Sequence, residues 1–215
     1  MFRILMALVV ALFIAPAVVS AQQVMFGNGW KEQRFSMLSS NDFSLNGDSL
    51  GVHSDGTVSL LWTALPPSAW QSRVARWAWA VETSVTATDL TQKGGDDRNM
   101  SVYFIFLQDS SLAAAEGKGV MALLDNPDVR VLMYVWGGAE SPDTVLPTPY
   151  LGPRGRSIIK RGAGTGAATE IADLARDFRR AFGEELENLV GLAVSADSDD
   201  TGGEIDARLS RLRLE

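Results

Sequence analysis

The sequence has no cysteine and a single histidine, His53, in 215 residues. Without thiols there is no disulfide framework, no thiolate metal site and no cysteine nucleophile. One imidazole closes off a multi-histidine zinc site and leaves only His53 for a triad that needs a histidine base. His53 stands beside Ser54-Asp55-Gly56 and reads as a surface turn residue rather than a catalyst. Positive charge is also scarce: 19 Lys and Arg stand against 26 Asp and Glu, a net charge of −7. Such a chain repels phosphate backbones and anionic lipid, so nucleic acid is not an expected partner. Beyond residue 21 no apolar run approaches the ~20 residues that cross a bilayer.

The one long apolar run stands at the start. Arg3 is followed by Ile4–Ile14, then by Pro16 and by Val19-Ser20-Ala21. A basic start, an apolar stretch and small residues at a cleavage point make up a secretory signal, with the cut expected after Ala21. Pro16 and the polar Gln22-Gln23 count against a membrane anchor, and no Cys is present to carry a lipid. The expectation is a cleaved leader over 1–21 and a single β-sandwich domain over 22–215. That domain would be periplasmic or secreted, without stable membrane insertion.

The apolar pattern has mostly period two, the signature of strands. In Arg76–Val81, Trp77, Trp79 and Val81 share one face. In Val129–Trp136, Val129, Val131, Met133 and Val135 share one side. Ser101–Leu107 and Leu189–Ser195 are apolar on both faces, as central strands are. Further strands are predicted near 42–45, 49–53, 57–62, 157–160 and 205–214. Asn46-Gly47-Asp48, Asp55-Gly56, Pro66-Pro67 and Gly94-Gly95 punctuate them. One segment differs: Ile171, Leu174, Phe178 and Phe182 recur at helical spacing, predicting a helix over 170–182 with Thr169 as N-cap and Gly183 after its end. Segments 109–126 and 137–156 read as long surface loops. The predicted class is mainly all-β: an antiparallel two-sheet sandwich, jelly-roll or lectin-like, with one amphipathic helix.

Five segments in order resemble a bacterial family known as domain of unknown function 3047. They are Ala75–Trp79 (ARWAW), Lys93–Arg98 (KGGDDR) leading into Val102-Tyr103-Phe104, Leu132–Trp136 (LMYVW), Asp177–Gly183 (DFRRAFG) and Gly191–Thr201 (GLAVSADSDDT). The resemblance covers most of residues 26–214. It implies an exported jelly-roll or lectin-like sandwich and carries no assigned activity.

Four features bear on chemistry. The loop Asp197-Ser198-Asp199-Asp200-Thr201-Gly202 sets oxygen ligands at alternate positions, Asp197, Asp199 and Thr201, before a turn glycine. That arrangement suits Ca²⁺ or another hard cation; no other cofactor is expected. Arg208 stands at the twelfth position, where an EF-hand has its bidentate Glu, so a solvated turn is the competing reading. Second, Lys93–Arg98 carries Asp96 and Asp97 into a central strand. Successive strand residues point to opposite faces, so one carboxylate can pair with Arg98 or Arg76 while the other faces a site. Third, Trp77 and Trp79 read as core, whereas Trp136 and Tyr150 border a Gly/Pro-rich loop and are placed to stack on a sugar. Fourth, Gly162–Ala167 matches a dinucleotide fingerprint but lacks the βαβ context that motif needs, and reads as a flexible loop.

The candidate ligand-binding residues are therefore Asp96, Asp97, Trp136, Tyr150, Asp197 and Asp199. Three functions remain open: a non-enzymatic binding module directed at carbohydrate, a glycan hydrolase acting through a carboxylate pair, and a structural or assembly partner in the cell envelope. A saccharide or an envelope component is the expected partner. Whether the loops at Asp96 and Asp197 converge decides among them.

Overall fold

Alternating apolar residues build two facing sheets, as the sequence pattern requires. A computed structural model describes residues 21–37 and 39–215. Its strands are β1 (Gln22–Gln23), β2 (Lys31–Arg34), β3 (Asp42–Asn46), β4 (Ser49–Asp55), β5 (Val58–Ala64), β6 (Val74–Thr83) and β7 (Arg98–Leu107). They continue with β8 (Arg130–Trp136), β9 (Val145–Thr148), β10 (Gly152–Arg161), β11 (Gly166–Asp173), β12 (Asn188–Asp197) and β13 (Glu204–Leu214). The helices are α1 (Leu112–Ala115), α2 (Val120–Leu124) and α3 (Leu174–Phe182). The leader predicted over 1–21 lies outside the described residues except for Ala21. Among the described residues, no helix is long and apolar enough to cross a membrane.

One sheet runs β11-β6-β13-β4-β3, with β1 on β13; the other runs β2-β5-β12-β7-β8-β10-β9. The chain changes sheet at β1–β2, β2–β3, β4–β5, β5–β6, β6–β7 and at each step from β10 to β13, the interleaving of a jelly-roll sandwich. Pairing is antiparallel except between β8 and β10, which run parallel. The long segment 137–151 makes that possible, because a parallel return needs a crossover and no hairpin can supply one. Between β3 and β4 the two-residue turn at Gly47 has φ +67°, a left-handed value that glycine adopts without strain.

The core between the sheets is aromatic. Trp77 packs edge-on against Trp79 at 5.5 Å and tilted against Tyr134 at 5.4 Å, and Phe104 meets Tyr134 at 5.5 Å. The seven-stranded sheet is apolar on its other face too. There Leu60, Ile105, Val131, Met133 and Ala193 form a second cluster with Val120 and Leu123 of α2. This explains why the middles of β7, β8 and β12 are apolar on both faces: one face meets the other sheet, and its opposite lies beneath the segments 108–129 and 137–151.

The helix begins later than its periodicity predicts. Residues 170 and 171 belong to β11, paired with Trp77 and Arg76 of β6. Ile171 points outward and is 57% exposed, while Glu170 and Ala172 are buried. Edge-strand pairing outweighs a helical spacing that Ile171 completes by coincidence. The N-cap is accordingly Asp173, whose carboxylate accepts from the Arg176 N–H at 3.0 Å, rather than Thr169. Gly183 does end the helix, at φ +73°. His53 is corrected as well: it lies within β4, not in a turn, and its Nδ1 stands 2.9 Å from Asp206 Oδ1 on β13.

Candidate functional site

The covered face of the seven-stranded sheet holds a cleft of about 490 Å³, within the ~300–1,000 Å³ usual for ligand sites. Its floor is β5, β12, β7 and β8; its walls come from α2 and from residues 148–154. One end is aliphatic, with Ile105, Val131 and Met133, while Leu60 lies opposite Ser195, nearer Arg98. The other end is polar, with Asp96, Arg98, Tyr103, Asp197 and Asp199. Another depression, of about 440 Å³, lies over the six-stranded sheet. Alanines 78, 80, 167 and 168 line much of it, and no carboxylate does.

The loops at Asp96 and Asp197 converge in this cleft, through Arg98. Its Nη1 donates to Asp96 Oδ2 at 2.9 Å and to Asp197 Oδ2 at 3.0 Å. Nε donates to Ser101 Oγ at 2.9 Å, and Nη2 donates to the Tyr103 hydroxyl at 3.0 Å. That hydroxyl in turn meets Ser195 Oγ at 2.9 Å. Strict alternation would turn Arg98 away from Ser101 and Tyr103. The register slips between Ser195 and Asp197, and this bulge sets Arg98 opposite Asp197 on the cleft face. Burial pulls the guanidinium's pKa down, but Tyr103, Asp197 and Asp96 outweigh it and hold the group charged.

Asp97 faces away from this network. Fully buried, its carboxylate accepts from Asp200 N at 3.2 Å, Thr201 N at 2.7 Å and Thr201 Oγ1 at 2.5 Å. It is thus the internal clamp of the 197–202 loop, and the expectation that it contacts a ligand is corrected. Of the proposed cation trio, Thr201 Oγ1 bonds to Asp97 and Asp197 Oδ2 to Arg98. Asp97, Asp199 and Asp200 lie close enough together to share an ion, and Asp97 already accepts from three donors.

Asp197 is the most perturbed carboxyl of the cleft. Its Oδ1 is sealed from solvent and faces no donor, and its neighbour on that side is the Asp199 carboxyl. Two carboxyls in contact satisfy each other only when one carries a proton. Burial first, and Asp199 after it, push Asp197 up to about 8, with Arg98 opposing. That shift favours the protonated form of Asp197, which can donate to Asp199 while accepting from Arg98.

Tyr150 stands at the mouth, 61% exposed, and its hydroxyl donates to Asp96 Oδ1 at 3.1 Å. Burial of the hydroxyl, then the Asp96 charge, push its pKa up to about 12, so it remains a donor. Lys93 Nζ lies 5.4 Å from the ring centroid. Trp136, predicted to stack on a sugar from a loop, is corrected. It ends β8 inside the inter-sheet core, 4% exposed, edge-on to Trp79 at 5.5 Å, with Nε1 bonded to Gly164 O at 3.0 Å. The glycine-rich loop is pinned rather than flexible, because Ala163 N and Gly164 N are taken by Gly138 O and Ser84 Oγ. It leads into a strand, so it offers no helix N-terminus to a phosphate.

Sequence reading missed Tyr103, Ser195 and Thr148 as parts of the site. All three put a hydroxyl on the cleft face of a strand, a polar break that alternation alone does not single out. Thr148 Oγ1 is buried without a hydrogen-bond partner.

The chemical limits of the site follow from this arrangement. Bonds of 2.9 and 3.0 Å to one nitrogen hold Asp96 and Asp197 within about 6 Å of each other, near the ~5–5.5 Å of a retaining glycosidase pair. The guanidinium occupies the space between them, where a glycosidic carbon would have to sit. Arg98 thus bridges Asp96 and Asp197 across the gap between them.

Sequence comparison matches residues 28–213 to the family described as "Protein of unknown function (DUF3047)", and the chain belongs to that family. No curated protein matches it. Among solved structures it resembles the xyloglucanase domain of NopAA, a type three effector from Sinorhizobium fredii, in complex with cellobiose. Identity there is 10% and the TM-score 0.46, over 90% of this chain and 99% of that one. It also resembles a cellulase derived from Cel12A of Rhodothermus marinus, at 11% identity and a TM-score of 0.49, over 91% and 95% of the two chains. A third is the family 11 xylanase of Neocallimastix patriciarum, at 11% identity and a TM-score of 0.44, over 91% and 94%.

Proposed function

We propose that the chain is an exported, non-enzymatic binding module whose cleft takes a saccharide. One observation carries the reading. Asp96 and Asp197, 101 residues apart in sequence, share the charged Arg98 in a single cleft, with Tyr150 at its mouth. Hydroxyl groups suit this end, because they donate to Asp96 and Asp199. The exposed Tyr150 ring offers a flat apolar face of the kind sugars stack on. Arg98 between the carboxylates favours binding over hydrolysis.

A thermal-shift screen of the chain without residues 1–21 against neutral oligosaccharides (cellobiose, xylobiose, maltose, chitobiose) tests the proposal. The expected result is a raised Tm with at least one sugar, reduced by Tyr150→Ala. Unchanged Tm across the panel refutes it. Release of reducing sugar from the bound oligosaccharide would replace it with the hydrolase reading.

A further inference from the structure

We infer that the natural ligand of this cleft is a single-chain amphiphile: an uncharged, hydroxyl-bearing head joined to an aliphatic tail. The inference rests on the saccharide reading for the head and adds the tail. A site for a plain sugar would be polar or aromatic along its length. Here the half away from Arg98 is built mainly from aliphatic side chains, Ile105, Val131 and Met133 on the floor and Leu124 and Leu151 on the walls. Only the hydroxyls of Ser157, opposite Met133, and Thr148, beside Gly155, interrupt it, so a sugar ring seated there would leave most of its hydroxyls without partners. An alkyl chain meets no such cost and buries its surface.

The mouth gives independent support. Six large apolar side chains are exposed among the described residues, and three of them, Phe35, Met121 and Tyr150, line this cleft. Apolar exposure gathered at one entrance fits a ligand that itself brings apolar surface.

Charge excludes one class of head. At the polar end Arg98 is committed to Asp96, Asp197 and two hydroxyls, and Asp96 and Asp199 line the same end. The other lining guanidinium, Arg154, donates one nitrogen to the Leu124 and Asn126 carbonyls, on the aliphatic side. A carboxylate or phosphate head at the Arg98 end would be repelled, whereas a neutral polyol is accepted.

The experiment is calorimetric titration of the chain without residues 1–21 with hexyl, heptyl and octyl β-glucoside below micelle formation, alongside cellobiose and octanoate. Affinity should rise by about fourfold for each added methylene, the value of ~0.8 kcal/mol per buried CH₂. Octanoate should bind more weakly than octyl glucoside. Leu124→Gln and Leu151→Gln, both at half-buried wall positions, should flatten the chain-length dependence. Cellobiose binding as tightly as octyl glucoside, or affinity independent of chain length, overturns the tail and leaves the saccharide reading standing. Octanoate binding equal to octyl glucoside overturns the head assignment. Absence of binding by every probe sinks this inference and the saccharide reading together.

Discussion

Replacing Asp197 with Asn keeps the shape of the protonated acid and removes its ability to ionise. The amide carbonyl accepts from Arg98 as the acid carbonyl does, and the amide N–H₂ takes over donation to Asp199. The consequence for stability follows from the direction of the shift. In the folded protein Asp197 titrates at about 8 against an ordinary value of 3.8, because burial and Asp199 disfavour its charge. Between those values the native state holds a proton that the unfolded chain has lost. The contribution of Asp197 to stability is thus fully present below pH ~4, declines as pH rises, and is gone above pH ~8. The Asn variant has no such loss. Its stability relative to the parent should therefore grow by about 1.4 kcal/mol per pH unit, which is on the order of 4 kcal/mol between pH 5 and pH 8. Urea unfolding of both proteins at pH 5, 6, 7 and 8 measures the gap. If the two stability curves run parallel over that range, Asp197 is ionised in the native state and the proton shared with Asp199 does not exist.

Tyr150→Ala should weaken saccharide binding about tenfold while shifting stability by less than ~0.5 kcal/mol, since the side chain is largely exposed; titration and urea melts separate the two effects. Asp97→Ala leaves two backbone N–H groups and a hydroxyl of the 197–202 loop without their acceptor, so it should cost about 2–4 kcal/mol in urea unfolding. Asp173→Ala should cost about 1 kcal/mol as the loss of an N-cap, and Thr169→Ala, on the exposed side of β11, less than ~0.5 kcal/mol. Equal costs at those two positions would mean that α3 begins where its periodicity places it.

The fold was legible wherever burial imposes a period. Trp77, Trp79 and Val81 alternate because they face the other sheet, and β7, β8 and β12 read as two-sided because they are buried on both faces. Short edge strands were not legible. β2 (KEQR) and β9 (VLPT) bury little, and backbone pairing with a neighbour, which leaves no periodic trace, is what makes them strands. β11 failed for a sharper reason, because Ile171 points to solvent and happens to fall in phase with the helix that follows. At the site, the chemistry-bearing loops were visible as Asp-rich, Gly-rich stretches between buried strands. Which carboxylate faces the cleft was not visible, since the bulge at Arg98 resets the alternation. Trp136 misled because a strand-end aromatic beside a Gly-rich loop looks the same in sequence whether it turns outward or into the core.

The central claim is that one cleft, centred on Arg98, is the place where this protein meets its ligand. Backbone-amide NMR of the chain without residues 1–21, titrated with octyl β-glucoside below micelle formation, tests it most directly. The expected perturbations cluster at Tyr103, Ala193 and Ser195 on the floor and at 148–151 on the wall, saturating with a single affinity. Perturbations confined to the outer face of β6, β11 and β13, or a spectrum that does not change, would contradict the account.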